Sequence, residues 1–120
     1  MNTLQLSTDL GQFTGTEQYY NYHSLLLTDG IKYLAEEAQC YWLMDVIWSH
    51  THCEHWHGKE DFIVCTLTTT DSRATVIFDD GNGNVLAKQS IQFTDFPLDQ
   101  IKIYIVSNGD QYVVMLPSEY

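Results

Sequence analysis

The densest concentration of chemically versatile side chains is the run His50-Thr51-His52-Cys53-Glu54-His55-Trp56-His57, which holds four of the chain's five histidines. Imidazole and thiolate are the usual ligands of zinc and other late metals. In an extended strand His50 would share a side with His52, and His55 with His57, whereas on a helix His52 and His55 would share a face. Zinc sites gather ligands from separated elements, and the only comparable donors elsewhere are Cys40, Cys65 and His23. The run therefore reads first as a polar, pH-sensitive connection at a helix exit. A zinc-binding or redox module built on His50, His52, Cys53, His55 and His57 is the alternative.

Other chemical patterns fall short. Asp79-Asp80-Gly81-Asn82-Gly83-Asn84 has the composition of a calcium loop, but an EF-hand needs oxygen side chains at its first, third and fifth places. Counted from Asp79, glycine fills the third and fifth, and no glutamate stands at the twelfth. It reads as a hairpin turn. No G-x-S-x-G elbow, phosphate loop or dinucleotide fingerprint is present. Cys53 lies between histidines, yet sequence neighbours rarely achieve thiolate–imidazolium geometry, and no third group is evident to orient them. Asp45 is a lone carboxylate in an apolar segment, where it reads as a helix-edge group or a cap for another segment, because acid–base catalysis needs a partner within reach. These residues do not describe an enzyme, and no cofactor is expected outside the zinc alternative.

The elements that would position these groups are legible in part. Residues 1–27 show no clear period and read as an irregular arm, with Tyr19, Tyr20 and Tyr22 packing on the domain or marking a partner surface. Thr28 and Asp29 are candidate caps for a helix in which Ile31, Leu34, Ala35 and Ala38 recur at helical spacing. Residues 41–48 continue as helix, apolar on nearly every side, and belong in the core on a sheet. Beyond residue 58 the pattern turns to strand. Residues 62–67 and 74–78 are rich in β-branched and aromatic side chains, with a turn at 68–72. Strands at 85–93, 101–106 and 112–116 follow, separated by the Gly/Asn-rich turn at 80–84, a loop at 96–99 and Asn108-Gly109-Asp110. Helices followed by hairpins predict an α+β fold: an N-terminal arm and two helices packed on an antiparallel sheet of four to five strands in a meander. With 120 residues and no internal linker, residues 1–120 are expected to form one domain.

Charge is the compositional outlier, with five Lys/Arg against 16 Asp/Glu and a net −11 at pH 7. Such a field repels nucleic acids and anionic membranes and accelerates encounter with basic surfaces. The plainer consequence of acidity is solubility. No apolar run approaches the roughly 18 residues of a membrane span, and the first residues lack the basic and apolar regions of a signal peptide. Three cysteines with no CxxC pair argue for reduced thiols. A cytoplasmic protein is expected.

Six stretches in fixed order resemble one small-protein family: FTGTEQYY at 13–20, TDGIKYLAE at 28–36, AQCYWLMD at 38–45, DGNGNV at 80–85, FTDFPL at 93–98 and LPSEY at 116–120. It is a single-domain family of unknown function found in bacterial, plasmid and phage genomes, and the resemblance covers nearly the whole chain. It implies a protein shared with mobile elements and supplies no activity. The shared stretches are mostly helix starts, turns and the Phe-Pro loop, while the histidine-rich run falls in an expected variable connection. A common functional surface is placed near Tyr19, Tyr20, Trp42, Asp45 and the loop at 95–98.

Together these readings lead to a non-enzymatic acidic protein that binds a basic protein surface. The target class is a nucleic-acid-binding host protein, inhibited by carboxylates that imitate a phosphate backbone in the manner of anti-CRISPR proteins. Glu36, Glu37, Asp79, Asp80, Asp95 and Asp99 are the candidate contacts, with no direct binding of nucleic acid or membrane. The third alternative is a self-associating structural protein, a homodimer for instance, using Trp42, Trp48 and Trp56.

Overall fold

The computed structural model of the protein describes residues 3–52 and 60–120. Its elements run α1 (Thr3–Leu10), β1 (Tyr20–Tyr22), β2 (Leu25–Leu27), α2 (Asp29–Glu37), α3 (Tyr41–Thr51), β3 (Phe62–Thr70), β4 (Arg73–Asp79), β5 (Val85–Ile91), β6 (Gln100–Ser107) and β7 (Tyr112–Met115), closed by a 3₁₀ turn at Pro117–Glu119. The α+β class holds. The sheet, however, has seven strands in the order β1-β2-β7-β6-β3-β4-β5, and β2 pairs in parallel with β7 while every other pair is antiparallel.

That order corrects the expected four- to five-stranded meander. Strands β3, β4 and β5 do form consecutive hairpins, but β6 returns to the far side of β3, and the supposed arm contributes two strands. The arm also begins with a helix, whose Leu6 and Leu10 are buried one turn apart. Strands of three residues are too short to show a period. Leu25 and Leu27 are fixed instead by β7, nearly ninety residues away in sequence, with Leu25 opposite Tyr112 and Leu27 opposite Val114.

The core lies between the helices and one sheet face. Inward positions Ile63, Cys65 and Leu67 of β3, Ala74, Val76 and Phe78 of β4, and Ile103 and Ile105 of β6 meet Ile31, Leu34, Ala35, Leu43, Met44 and Ile47 from α2 and α3. The strict alternation of buried and less buried residues along β3 and β4 is what a sheet covered on one face requires. Tight turns at Asp71-Ser72 and His23-Ser24 place non-glycine residues at positive φ. The first is a two-residue hairpin loop closed by the Thr70–Arg73 pair, a geometry whose twist matches the strands.

The 28–36 and 116–120 stretches meet at the start of α2. Thr28 caps the helix, its Oγ1 accepting from the Ile31 amide at 3.4 Å and donating to Glu119 Oε1 at 2.6 Å. Glu119 also accepts from the amides of Gly30 at 3.1 Å and Leu116 at 3.0 Å. A Cβ on Gly30 would lie 2.6 Å from Leu116 Cδ1 and 2.7 Å from Glu119 Oε1, so glycine is a condition of this closure. The Thr-Asp-Gly and Leu-Pro-Ser-Glu-Tyr stretches are thus two halves of one contact.

Candidate functional site

The 93–98 stretch carries the chain from β5 across to β6, and its alternation decides what the molecule presents there. Thr94, Phe96 and Leu98 are buried, while Phe93 is 79% exposed and Asp95 is exposed. The buried set is anchored by the Thr94 amide donating to Ser72 O at 2.8 Å, the Phe96 amide to Thr94 Oγ1 at 3.1 Å, and Thr69 Oγ1 to Leu98 O at 2.8 Å. A crossover held at three points presents Phe93 and Asp95 from a fixed backbone.

Helix α3 supplies the adjoining wall. Trp42, Val46 and His50 recur every fourth residue on its flank over β5. His50 is tied there by Nε2 to Gln89 Oε1 at 2.8 Å and by its ring against Phe78 at 4.8 Å. Trp42, Val46, Ile91, Phe93, Thr94 and Asp95 line a shallow concavity of 440 Å³. Asp95 is shared with a second hollow of 240 Å³ formed with Glu37, Ala38, Gln39 and Pro97. An apolar shelf therefore runs directly into an acidic rim. Along the shelf lies β5, the last strand of the sheet among the described residues.

The six candidate carboxylates do not share one place. Glu37 and Asp95 come together at the rim, and Glu36 is adjacent on α2 but engaged with Lys32 at 3.3 Å. Asp99 enters β6 at the end of the sheet that carries the Asp71-Ser72 turn, where its carbonyl accepts from the Thr69 amide at 2.8 Å. Asp79 and Asp80 sit at the other end of β4 and organise the hairpin. Asp79 accepts from the Gly81 amide at 2.7 Å, and Asp80 from the Asn82 amide and the Asn84 side chain, both at 2.8 Å. The Asn84 side chain, followed by the Asn82 amide, holds the Asp80 carboxyl below its usual pKa.

The other sequence candidates separate. His50 turns towards β5, while His52 folds back so that its ring lies 4.8 Å from Trp48 and Nδ1 reaches Trp48 O at 3.0 Å. Cys53, His55, His57 and Trp56 lie outside the described residues. Among those described, no group of three or more His, Cys, Asp or Glu is placed to hold a metal. Cys40, between α2 and α3, and Cys65, in β3, are both buried, and burial pushes the Cys40 thiol up to about 12 and raises that of Cys65 as well. Trp42 and Trp48 diverge, the latter standing in a ring series with His23 and His52. Asp45 accepts from the Tyr22 hydroxyl at 2.8 Å, Tyr20 lies under Lys32, and Tyr19 is exposed, all away from the shelf. No described helix is long and apolar enough to cross a membrane.

Sequence reasoning missed Phe93, Val46 and Ile91. The alternation Phe93-Thr94-Asp95-Phe96-Pro97-Leu98 was a usable signal, but it does not say which parity faces the core. The profile of a family of unknown function (DUF6876) matches residues 4–120. No curated protein matches the chain. A crystal structure of a protein of unknown function from Enterococcus faecalis is similar in fold, with a TM-score of 0.61 and 19% identity over 81% of this chain and 90% of that one.

Proposed function

We propose that this chain, which belongs to the DUF6876 family, is a non-enzymatic binding protein that engages a basic protein surface at the Phe93–Asp95 shelf. The observation that carries the reading is the continuity of two concavities through Asp95, one apolar and one acidic. An aromatic anchor bordered by a polar rim is the usual anatomy of an interface: Phe93 and Trp42 supply buried area, and Glu37 and Asp95 at the rim select a cationic neighbour. The net charge of −11 steers basic partners from a distance. Cationic nucleic-acid-binding proteins of a host are the first class to test, and an inhibitor shared with mobile elements would act by occupying such a surface. Of the six carboxylates read from sequence, Glu37 and Asp95 contact the partner, while Asp79 and Asp80 serve the hairpin turn.

The test is affinity capture from bacterial lysate with the wild-type chain and two variants, Phe93→Ser and the double variant Glu37→Gln/Asp95→Asn. Basic partners are expected on the wild type at low salt, fewer at high salt, and fewer on either variant. Capture that ignores both salt and the variants would remove the reading.

A further inference from the structure

We propose that the shelf receives its partner by strand addition: an extended segment pairs with the open edge of β5. This rests on the binding reading above and specifies how the same site is occupied. Strand β5 is seven residues long, carries no proline, and has no strand beyond it among the described residues. Its one-sided pairing with β4 leaves a row of main-chain donors and acceptors without a ladder partner, the usual template for an added strand. The opposite edge, β1, has only three residues.

The occupant's chemistry follows from what flanks the edge. Ala87, Gln89 and Ile91 point towards α3, where His50 holds Gln89 and Trp42 and Val46 flank Ile91, so alternate residues of the incoming segment meet an apolar wall at the Ile91 end of the edge. Lys88 and Ser90 face the other side, where polar residues are accommodated. Beyond Ile91 the segment passes Phe93 and reaches Asp95 and Glu37, which require Lys or Arg at that end. The fitting occupant is an extended stretch of another protein, apolar on the α3 side beside Ile91 and basic where it passes Phe93.

A second copy of this chain fits poorly. Two β5 strands paired antiparallel about their midpoint would place Lys88 directly opposite Lys88, and like charges facing across a ladder are destabilising. Each copy also carries −11. The edge is therefore guarded against self-pairing while open to a strand whose basic residues lie at the Phe93 end, away from Lys88.

The probes are synthetic peptides alternating Val and Thr with a pair of Arg residues at either end, the same peptides ending in Glu, and Arg peptides with a central Pro. Binding is measured by titration calorimetry, and amide hydrogen exchange of the intact chain is followed by NMR. The Arg peptide is expected to slow exchange within β5 and to bind about tenfold or more tightly than its Pro and Glu forms. The Phe93→Ser chain should lose a comparable factor with an unchanged melting temperature. Arg-peptide binding that tolerates the Pro and leaves β5 exchange unaltered would overturn strand addition and leave the binding reading in place. If Arg and Glu peptides bind equally, or neither binds, both inferences fall.

Discussion

Glu119 satisfies three donors from two segments of the chain, so replacing it strands more than one polar group. Glu119→Ala leaves the Thr28 hydroxyl and the amides of Gly30 and Leu116 without their acceptor, in a part-buried position. The expected loss is about 1–3 kcal/mol, read from urea unfolding. Gly30→Ala should cost a similar amount by a different route, because its methyl group must displace Leu116 or Glu119, and overpacking costs about 1–3 kcal/mol. If both variants melt with the wild type, the closure contributes nothing. The cysteines make the opposite point about chemistry. A thiol raised to about 12, as Cys40 is, holds almost no thiolate at pH 8, and reactivity follows the thiolate. In a Cys53→Ser chain, native Cys40 and Cys65 should resist a disulfide reagent until denaturant is added. Rapid modification of the folded protein would show that one of these two thiols is reachable and ionised despite its burial.

At the scale of elements, the β3–β4 hairpin and the start of α2 make separable predictions. Asp71 and Ser72 hold φ of 52° and 63°, a left-handed conformation that costs a non-glycine residue about 1–2 kcal/mol. Ser72→Gly should therefore raise stability by up to about 1 kcal/mol, seen as a higher urea midpoint with unchanged slope. A lower midpoint would mean that the serine side chain contributes more than its backbone costs. Asp29 accepts from the Glu17 amide at 2.9 Å, the largest cause of its lowered pKa, while Asp80 is lowered chiefly by Asn84. A carboxyl depressed in the folded state adds stability that is present above its unfolded value, near 3.8, and is lost as pH falls through the folded pKa. Asp29→Asn and Asp80→Asn should each flatten the acid limb of a melting-temperature profile and leave its neutral-pH shape alone. An unchanged acid limb in both would show that neither group is linked to folding.

Across the whole molecule, charge is distributed unevenly. Arg73, Lys88 and Lys102 all point from the sheet face opposite the helices, with Asp79 among their outward neighbours. Among the described residues, the cation beside the carboxylates of α2, α3 and the crossover is Lys32, whose exposed pair with Glu36 contributes little. The chain is expected to sediment as a monomer over a wide concentration range at low salt; a concentration-dependent dimer would favour self-association over an external partner. Much of this was legible in sequence. The Thr28 cap, the apolar α3, the hairpins of β3 to β5 and the turn at 80–84 each declare themselves within a few residues, because propensity, capping and turn chemistry act locally. Acidity and the absence of a nucleophile motif likewise needed only the residues. What tertiary structure alone decided was pairing at a distance. The parallel alignment of β2 with β7 takes its energy from partners far along the chain, so three leucines could not announce it. The place of β6 beside β3 set which parity of residues 93–98 is buried, and hence that Phe93 and Asp95 face outward beside α3. The site is the meeting of a crossover, a helix flank and a sheet edge, and no local pattern encodes that meeting.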